Sequence, residues 1–373
     1  MILSFIFSGV ILGALLALLL LVKQKKSLSD YLLFSWLLIT GLHLFFYYTS
    51  FDPKLNLPKV IGLLLFSIPM LSGPVLYLYI SSISRNDVNI KSISVHSIVY
   101  ALYVILLLLM FPNIDLKYGF LIFSENISQT IQYLILIALA ISGGLYAILS
   151  LRILLSHRKN LQKNFSYTEK INLDWLKWIV ISFVFLFVVL FFLIKFGVSL
   201  EILELNSLFK IVGALLTVYV LLMGFFGLRQ SSPFLELQSI PPTESKPKQS
   251  YGKSGLNDQD IEKIHQRLLQ FMKDHKPYLQ DDLNLQTLSS LLHIKSNHLS
   301  QVINQKAGMN FFNFVNSYRI EEVKTKLKDS KSDHLSLLGI AFDSGFRSKA
   351  SFNKLFKNQV GMTPTEYKKS IKK

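Results

Sequence analysis

Two short stretches of the chain place hydrogen-bonding side chains at helical spacing. In SNHLSQVINQKAG, residues 296–308, Leu299, Val302 and Ile303 mark an inward side. That leaves Asn297, His298, Gln301, Asn304 and Gln305 outward, with Ser296 placed to cap the helix. In FRSKASFNKLFKNQ, residues 346–359, Phe352, Leu355 and Phe356 face inward, Lys349, Asn353, Lys354 and Lys357 face outward, and Arg347 and Ser348 stand just ahead. Short neutral amides suit the donor and acceptor pattern of base edges in a major groove. Ammonium and guanidinium groups suit phosphates. Each residue also fits a solvated surface, and Lys368, Lys369, Lys372 and Lys373 are read as that or as nonspecific attraction to phosphate.

Each stretch is the second half of a pair of helices. Ahead of the first, Leu285, Leu288, Leu291 and Leu292 make a short helix that Asn284 can cap, His293, Ile294 and Lys295 form a turn, and Gly308 closes the unit. Ahead of the second, LSLLGIAFDSGF (335–346) is a short helix with Ser336 as cap and Gly345 at the turn. Two short helices joined by a tight turn make a helix-turn-helix. Between the units, residues 310–329 form a long amphipathic helix with Phe311, Phe314, Val315, Tyr318, Val323 and Leu327 on its apolar side. A linker of some 18 residues is about 27 Å long, close to the roughly 34 Å between successive major grooves on one DNA face. Before the first unit, Ile261, Ile264, Leu268, Phe271 and Met272 predict another amphipathic helix, with Asp258 as cap and Pro277 at its end. After the second, Thr363-Pro364-Thr365-Glu366 is a capping box that opens a last helix.

Residues 256–373 carry 19 Lys and Arg against 12 Asp and Glu, which favours contact with phosphate. The tandem units, with HLSQVIN, NFFNFVNSYRIEEVK and IAFDSGFRSKASFNKLFKNQVGMTPTEY, resemble the DNA-binding domain of the AraC/XylS family of bacterial transcription regulators. The resemblance covers about 115 residues, and its specific part is I-A-x-x-x-G-F, F-x-x-x-F-K and G-x-T-P at family spacing. It implies DNA contact by Ser296, Asn297, His298, Gln301, Asn304, Gln305, Arg347, Ser348, Lys349, Asn353, Lys354 and Lys357. Ser289 stands where the family has Ala, and Asn358 where a second basic residue often follows Phe-Lys. The soluble sugar-binding domain of some relatives has no counterpart here.

The rest of the chain is unlike this domain. Over all 373 residues the composition is 51% hydrophobic with formal net charge +16, a combination that points to a membrane, to nucleic acid or to both. The apolar residues concentrate before Arg229 in seven stretches long enough to cross a bilayer: 2–22, 31–50, 59–83, 93–112, 129–155, 174–197 and 205–228. The fifth starts polar, with Gln129, Thr130 and Gln132, and Pro69 with Ser72-Gly73-Pro74 can kink the third. Tyr47, Tyr48, Tyr77 and Tyr79 read as an interfacial belt, and His43, His96 and Lys210 as structural residues. The loops after spans one, three and five hold ten basic residues: Lys23, Lys25, Lys26, Arg85, Lys91, Arg152, Arg158, Lys159, Lys163 and Lys170. The loops after spans two, four and six hold Lys54, Lys59 and Lys117, with Lys195 at a boundary. This asymmetry predicts an N-terminus outside and a C-terminal domain in the cytoplasm.

The expected architecture is therefore all-α: a seven-helix transmembrane bundle at 1–229, a flexible Ser-, Pro- and Lys-rich linker at 230–255, and a soluble tandem helix-turn-helix domain at 256–373. The expected location is the bacterial inner membrane, multi-pass. The expected function is a membrane-embedded, sequence-specific transcription regulator whose spans sense a signal or act as an anchor. Expected partners are double-stranded promoter DNA, the lipid bilayer, RNA polymerase, a second copy of the chain on DNA and an unidentified signal ligand. The competing classes are a transporter, or a scaffold with a helical appendage. Span interiors without Asp or Glu disfavour transport. No cysteine, HExxH, P-loop or GxSxG occurs, so no enzyme, metal or cofactor is expected.

Overall fold

The computed structural model describes the chain except residues 25, 53, 54, 56, 85–87, 89, 118, 119, 169, 170, 194–203, 230–255, 330, 331, 333, 372 and 373. The expected linker falls outside the described residues. The chain forms two units. One comprises Met1–Leu155 with Leu173–Leu235; the other comprises Ser156–Asn172 with Glu236–Lys373.

The first unit contains α1 (Ile2–Val22), α2 (Leu28–Phe51), α3 (Lys59–Ser67), α4 (Pro69–Ser84), α5 (Ile90–Leu109), the body of α6 (Gln129–Asn164), α7 (Asp174–Phe192) and α8 (Leu205–Arg229). Among the described residues, five helical stretches are long and apolar enough to cross a membrane: Ile2–Val22, Leu28–Phe51, Lys59–Ser84, Gln129–Asn164 and Asn206–Arg229. The expected fourth span appears as a shorter apolar helix, Ile93–Leu109, and the sixth is described as far as α7 reaches. The expected third span breaks at Ile68, so that Pro69 opens α4 and Pro74 lies inside it.

Helix α2 begins earlier than its apolar run because of a cap. Asp30 accepts from the Ser27 amide at 2.8 Å, the Ser27 hydroxyl takes the Asp30 amide, and Lys23 pairs with Asp30 at 2.8 Å. Helices α1 and α8 approach closely through glycines. Added Cβ atoms at Gly9 and Gly13 would meet Thr217 and Val220, and those at Gly213 and Gly224 would meet Ile6 and Leu16. Such small-against-large interlocking lets apolar helices pack without a hydrophobic driving force between them. Tyr47 and Tyr79 are buried inside this unit, where Tyr47 stacks on Phe209, so these two do not form the expected belt. Within this unit His96 Nδ1 lies 2.6 Å from the Tyr146 hydroxyl.

The all-α expectation needs one correction. Between α5 and α6 an antiparallel hairpin pairs β1 (Ile114–Lys117) with β2 (Phe120–Phe123), in register Ile114↔Phe123 and Leu116↔Leu121. Alternate residues share a face, so Ile114, Leu116, Leu121 and Phe123 turn together into a cluster with Leu63, Tyr103 and Ile135.

In the second unit the C-terminal part is α9 (Asp258–His275), α10 (Leu285–Leu291), α11 (Ser296–Ala307), α12 (Phe311–Lys328), α13 (Leu337–Phe342), α14 (Lys349–Val360) and α15 (Pro364–Ile371). Helix α9 is capped by Asn257 rather than Asp258: the Asn257 side chain takes the Asp260 amide at 2.8 Å, leaving Asp258 in the first turn, where its charge still suits the helix dipole. Two apolar cores share α12. Phe311, Phe314 and Val315 join Leu268, Leu288, Leu299 and Ile303, whereas Ile320, Val323 and Leu327 join Ile340, Phe346, Phe352 and Phe356. The linker helix is thus a structural member of both helix-turn-helix cores.

Candidate nucleic-acid interface

The first helix-turn-helix is α10 followed by α11. Asn284 caps α10 by accepting from the Thr287 amide at 2.9 Å. The turn is set by His293, whose φ is 51°, and α11 ends on Gly308 at φ 65°. Ser296 does not cap α11, because Lys295 occupies the cap position without a side-chain bond. The Ser296 hydroxyl instead donates to Gln286 Oε1 at 2.6 Å and lies 2.7 Å from the Ser289 hydroxyl, which reaches Gln286 O. Ser289 therefore belongs to a part-buried polar clasp between the two helices.

Asn297 and Gln305 are exposed and His298 and Asn304 are half-buried, on the outward side of α11. Asn304 turns one amide hydrogen back to Ser300 O at 2.8 Å. Gln301 is the exception: it is only 3% exposed and does not present itself to solvent. At about 100° per residue Gln301 falls among Asn297, Asn304 and Gln305, away from the Leu299, Val302 and Ile303 stripe, so the helix's own periodicity does not account for its burial.

The second unit is α13 followed by α14. Ser336 caps α13 by accepting from Gly339 N at 3.0 Å, and Ser348 caps α14 by accepting from Ser351 N at 3.1 Å. Gly345 makes the turn at φ 90°, where an added Cβ would run into the Tyr278 carbonyl oxygen and the Arg319 side chain. Lys349, Asn353, Lys354 and Lys357 are all exposed on one side of α14. Arg347 differs from them. Its Nε donates to Asp281 Oδ2 at 3.2 Å, and its guanidinium lies 4.1 Å from the centre of the Tyr167 ring. Burial works against the Arg347 charge, but the Asp281 carboxylate outweighs it and holds its pKa above the ordinary value. After α14, the Thr363 and Glu366 capping box forms as expected, with Thr363 N donating to Glu366 Oε2 at 2.7 Å.

The residue that organises these elements was not among the sequence candidates. Arg319 of α12 is 1% exposed. Its Nε donates to Tyr278 O at 2.8 Å and its Nη2 to Gln280 O at 2.7 Å. Tyr278 is fixed in turn by stacking on Tyr318 and by donating to Glu322 Oε2 at 3.1 Å, and burial with the nearby Glu322 charge pushes its hydroxyl pKa up. The sequence held one signal. Arg319 falls four residues after Val315 and four before Val323, so a charge occupies a place in the apolar stripe.

The arrangement is two short-neck helices, α11 and α14, each with an exposed polar side and each tied to one end of a shared linker. Residues 288–370 match the family described as Helix-turn-helix domain. An uncharacterized HTH-type transcriptional regulator from Staphylococcus aureus strain COL is 33% identical over 91 residues, covering 24% of this chain and 12% of that protein. Another, from Haemophilus influenzae, is 30% identical over 92 residues, covering 25% of this chain and 30% of that protein. The chain therefore spans less than a third of the length of these curated relatives. Among solved structures, the C-terminal domain of AraT, a response regulator from Geobacillus stearothermophilus, is 27% identical, with 29% of this chain and 84% of that one covered and a TM-score of 0.26. The tandem units with their shared linker, and the match over 288–370, make the C-terminal region of this chain an AraC-type helix-turn-helix domain.

Proposed function

We propose that this protein is a membrane-embedded, sequence-specific DNA-binding transcription regulator, with an apolar region that anchors it and senses a signal. The observation that carries the reading is the pair of exposed faces on α11 and α14, neutral amides on one and lysines with an amide on the other, held on a linker helix that belongs to both cores. Amides on the first face would read base edges, and the lysines would neutralise phosphates.

The membrane part of the reading rests on the apolar helices and the loop charges. The seven-span count keeps the N-terminus outside and the C-terminal domain in the cytoplasm of a bacterial inner membrane. One further observation supports this orientation: residues 156–172, an expected cytoplasmic loop, belong to the same compact unit as the helix-turn-helix domain, as two segments on one side of a membrane can. On promoter DNA the reading includes a second copy of the chain and contact with RNA polymerase, and it leaves the signal ligand unidentified.

The test is binding of the full chain, reconstituted in lipid nanodiscs, to promoter fragments of its own genome at two salt concentrations. Sequence-specific binding that is lost in the Asn353→Ala, Lys354→Ala double variant is the expected result. Weak, salt-labile binding without sequence preference would overturn it.

A further inference from the structure

The second unit contains a segment that its helix-turn-helix architecture does not require. Helix α6 continues past Leu155, and its last residues, with the strand-like stretch after them, pack on the C-terminal domain. The seat is specific. Phe165 pairs with Asn284 in an antiparallel bridge. Ser166 N donates to Leu283 O at 3.2 Å and the Ser166 hydroxyl donates to the same oxygen at 2.6 Å. The Ser166 carbonyl accepts from Asn316 Nδ2 at 3.0 Å and from Arg319 Nη1 at 3.2 Å, and Arg319 Nη2 donates to the Ser166 hydroxyl at 3.0 Å. Phe165, Ser166 and Tyr167 are all buried. These bonds join residues 117 to 153 positions apart in sequence. A three-residue stretch thus engages α10, the linker α12 and, through Tyr167, the turn of the second helix-turn-helix.

The last of these contacts falls on a residue that a DNA reader would use. Arg347 stands immediately before Ser348, the cap of α14, and its guanidinium is held between the Tyr167 ring and Asp281. A guanidinium ion-paired on one side and covered by a ring on the other is less free to meet a phosphate, because both contacts must be given up first.

We propose that residues 165–167 form an autoinhibitory clasp, which docks on the helix-turn-helix domain, withholds Arg347 from DNA and releases it when α6 is displaced. The inference rests on the DNA-binding reading above. Because coupling between two equilibria is reciprocal, a signal that pulls the clasp away raises DNA affinity, and bound DNA favours the undocked segment.

The chain has no cysteine, so a single engineered disulfide can lock the clasp. Residues paired in an antiparallel bridge have Cα atoms about 4.5–5.5 Å apart, within disulfide range. The full-length Phe165→Cys, Asn284→Cys variant, in nanodiscs, is compared with itself oxidised and reduced, so any cost of the substitutions cancels. Reduction is expected to tighten binding to the promoter fragment by about fivefold or more. In a cysteine-free background, Tyr167→Ala is expected to tighten binding and to steepen the salt dependence by about one phosphate contact, and Arg347→Ala to abolish both effects. Equal or tighter binding by the oxidised form, or failure of the disulfide to form, overturns the clasp. Absence of specific binding in both forms overturns the DNA-binding reading itself, and the clasp with it.

Discussion

The two helix-turn-helix units have one architecture and two internal chemistries. In the first, the neck between α10 and α11 is polar, with Ser289, Ser296 and Gln286 bonded together, and its turn residue His293 adopts φ 51° with a side chain. In the second, the neck is apolar, with Ala341, Phe346 and Phe352 buried, and its turn needs a glycine because backbone from the 276–280 segment lies against it. The outward faces differ in the same direction: neutral on α11, basic on α14. A repeated fold therefore does not imply repeated tolerance. The first unit is specified by hydrogen bonds that can be rearranged, the second by steric fit that cannot.

The largest expected effect tests that contrast directly. Gly345→Ala places a Cβ at φ 90° against Tyr278 and Arg319, and should cost about 3–4 kcal/mol in urea unfolding of the C-terminal unit. Gly308→Ala, also left-handed at φ 65° but with open space around it, should cost only about 1–2 kcal/mol. Equal costs would show that backbone conformation alone governs both turns. Next come the faces. Lys354→Ala should weaken DNA binding evenly across sequences and reduce the salt slope by about one unit. Asn297→Ala should shift sequence preference by about 1–3 kcal/mol at one base pair with little change in slope. Binding titrations over a salt series and a set of single-base variants separate the two.

A smaller effect is expected at the polar neck. Ser289→Ala leaves Ser296 its bond to Gln286, so the cost should stay near or below about 1 kcal/mol by the same unfolding measurement. The smallest is a pH effect at α15. The Thr363 amide, then the Thr363 hydroxyl, hold the exposed Glu366 carboxyl below its usual pKa. A depressed carboxylate contributes stability above its unfolded pKa and loses it as pH falls through the folded one. The C-terminal unit of the parent chain should therefore lose slightly more stability on acidification below the ordinary carboxylate range than Glu366→Gln does. Parallel curves would remove the capping box from the account.

Much of the candidate site was legible because it depends on local spacing. The Asn284, Ser336 and Thr363 caps, the Gly308 and Gly345 turns, and the exposed Lys349, Asn353, Lys354 and Lys357 follow from three- and four-residue periodicities and from the few residues that accept a positive φ. Where two neighbours compete, spacing was too coarse: Asn257 took the cap from Asp258, and Lys295 took it from Ser296 once that hydroxyl found Gln286. Gln301 shares the polar side of its helix with Asn297, Asn304 and Gln305 by spacing, yet it is buried in the fold, which local periodicity could not show. The hairpin at 114–123 sits in an expected loop whose short apolar alternation is easily lost beside long apolar spans.

By itself, then, the sequence determined the helices, the two tandem units, the apolar character of residues before Arg229 and the charge of the outward faces. These depend on side-chain chemistry within about two helical turns. Only the tertiary structure decided that Arg319 is buried to fasten the 278–280 carbonyls, that one linker helix serves two cores, and that residues 165–167 seat on the domain and hold Arg347. Those outcomes pair groups more than a hundred residues apart or satisfy carbonyls that no local pattern marks as needing a partner. Buried backbone oxygens must find donors somewhere, and which donors they find is settled only when the chain has packed.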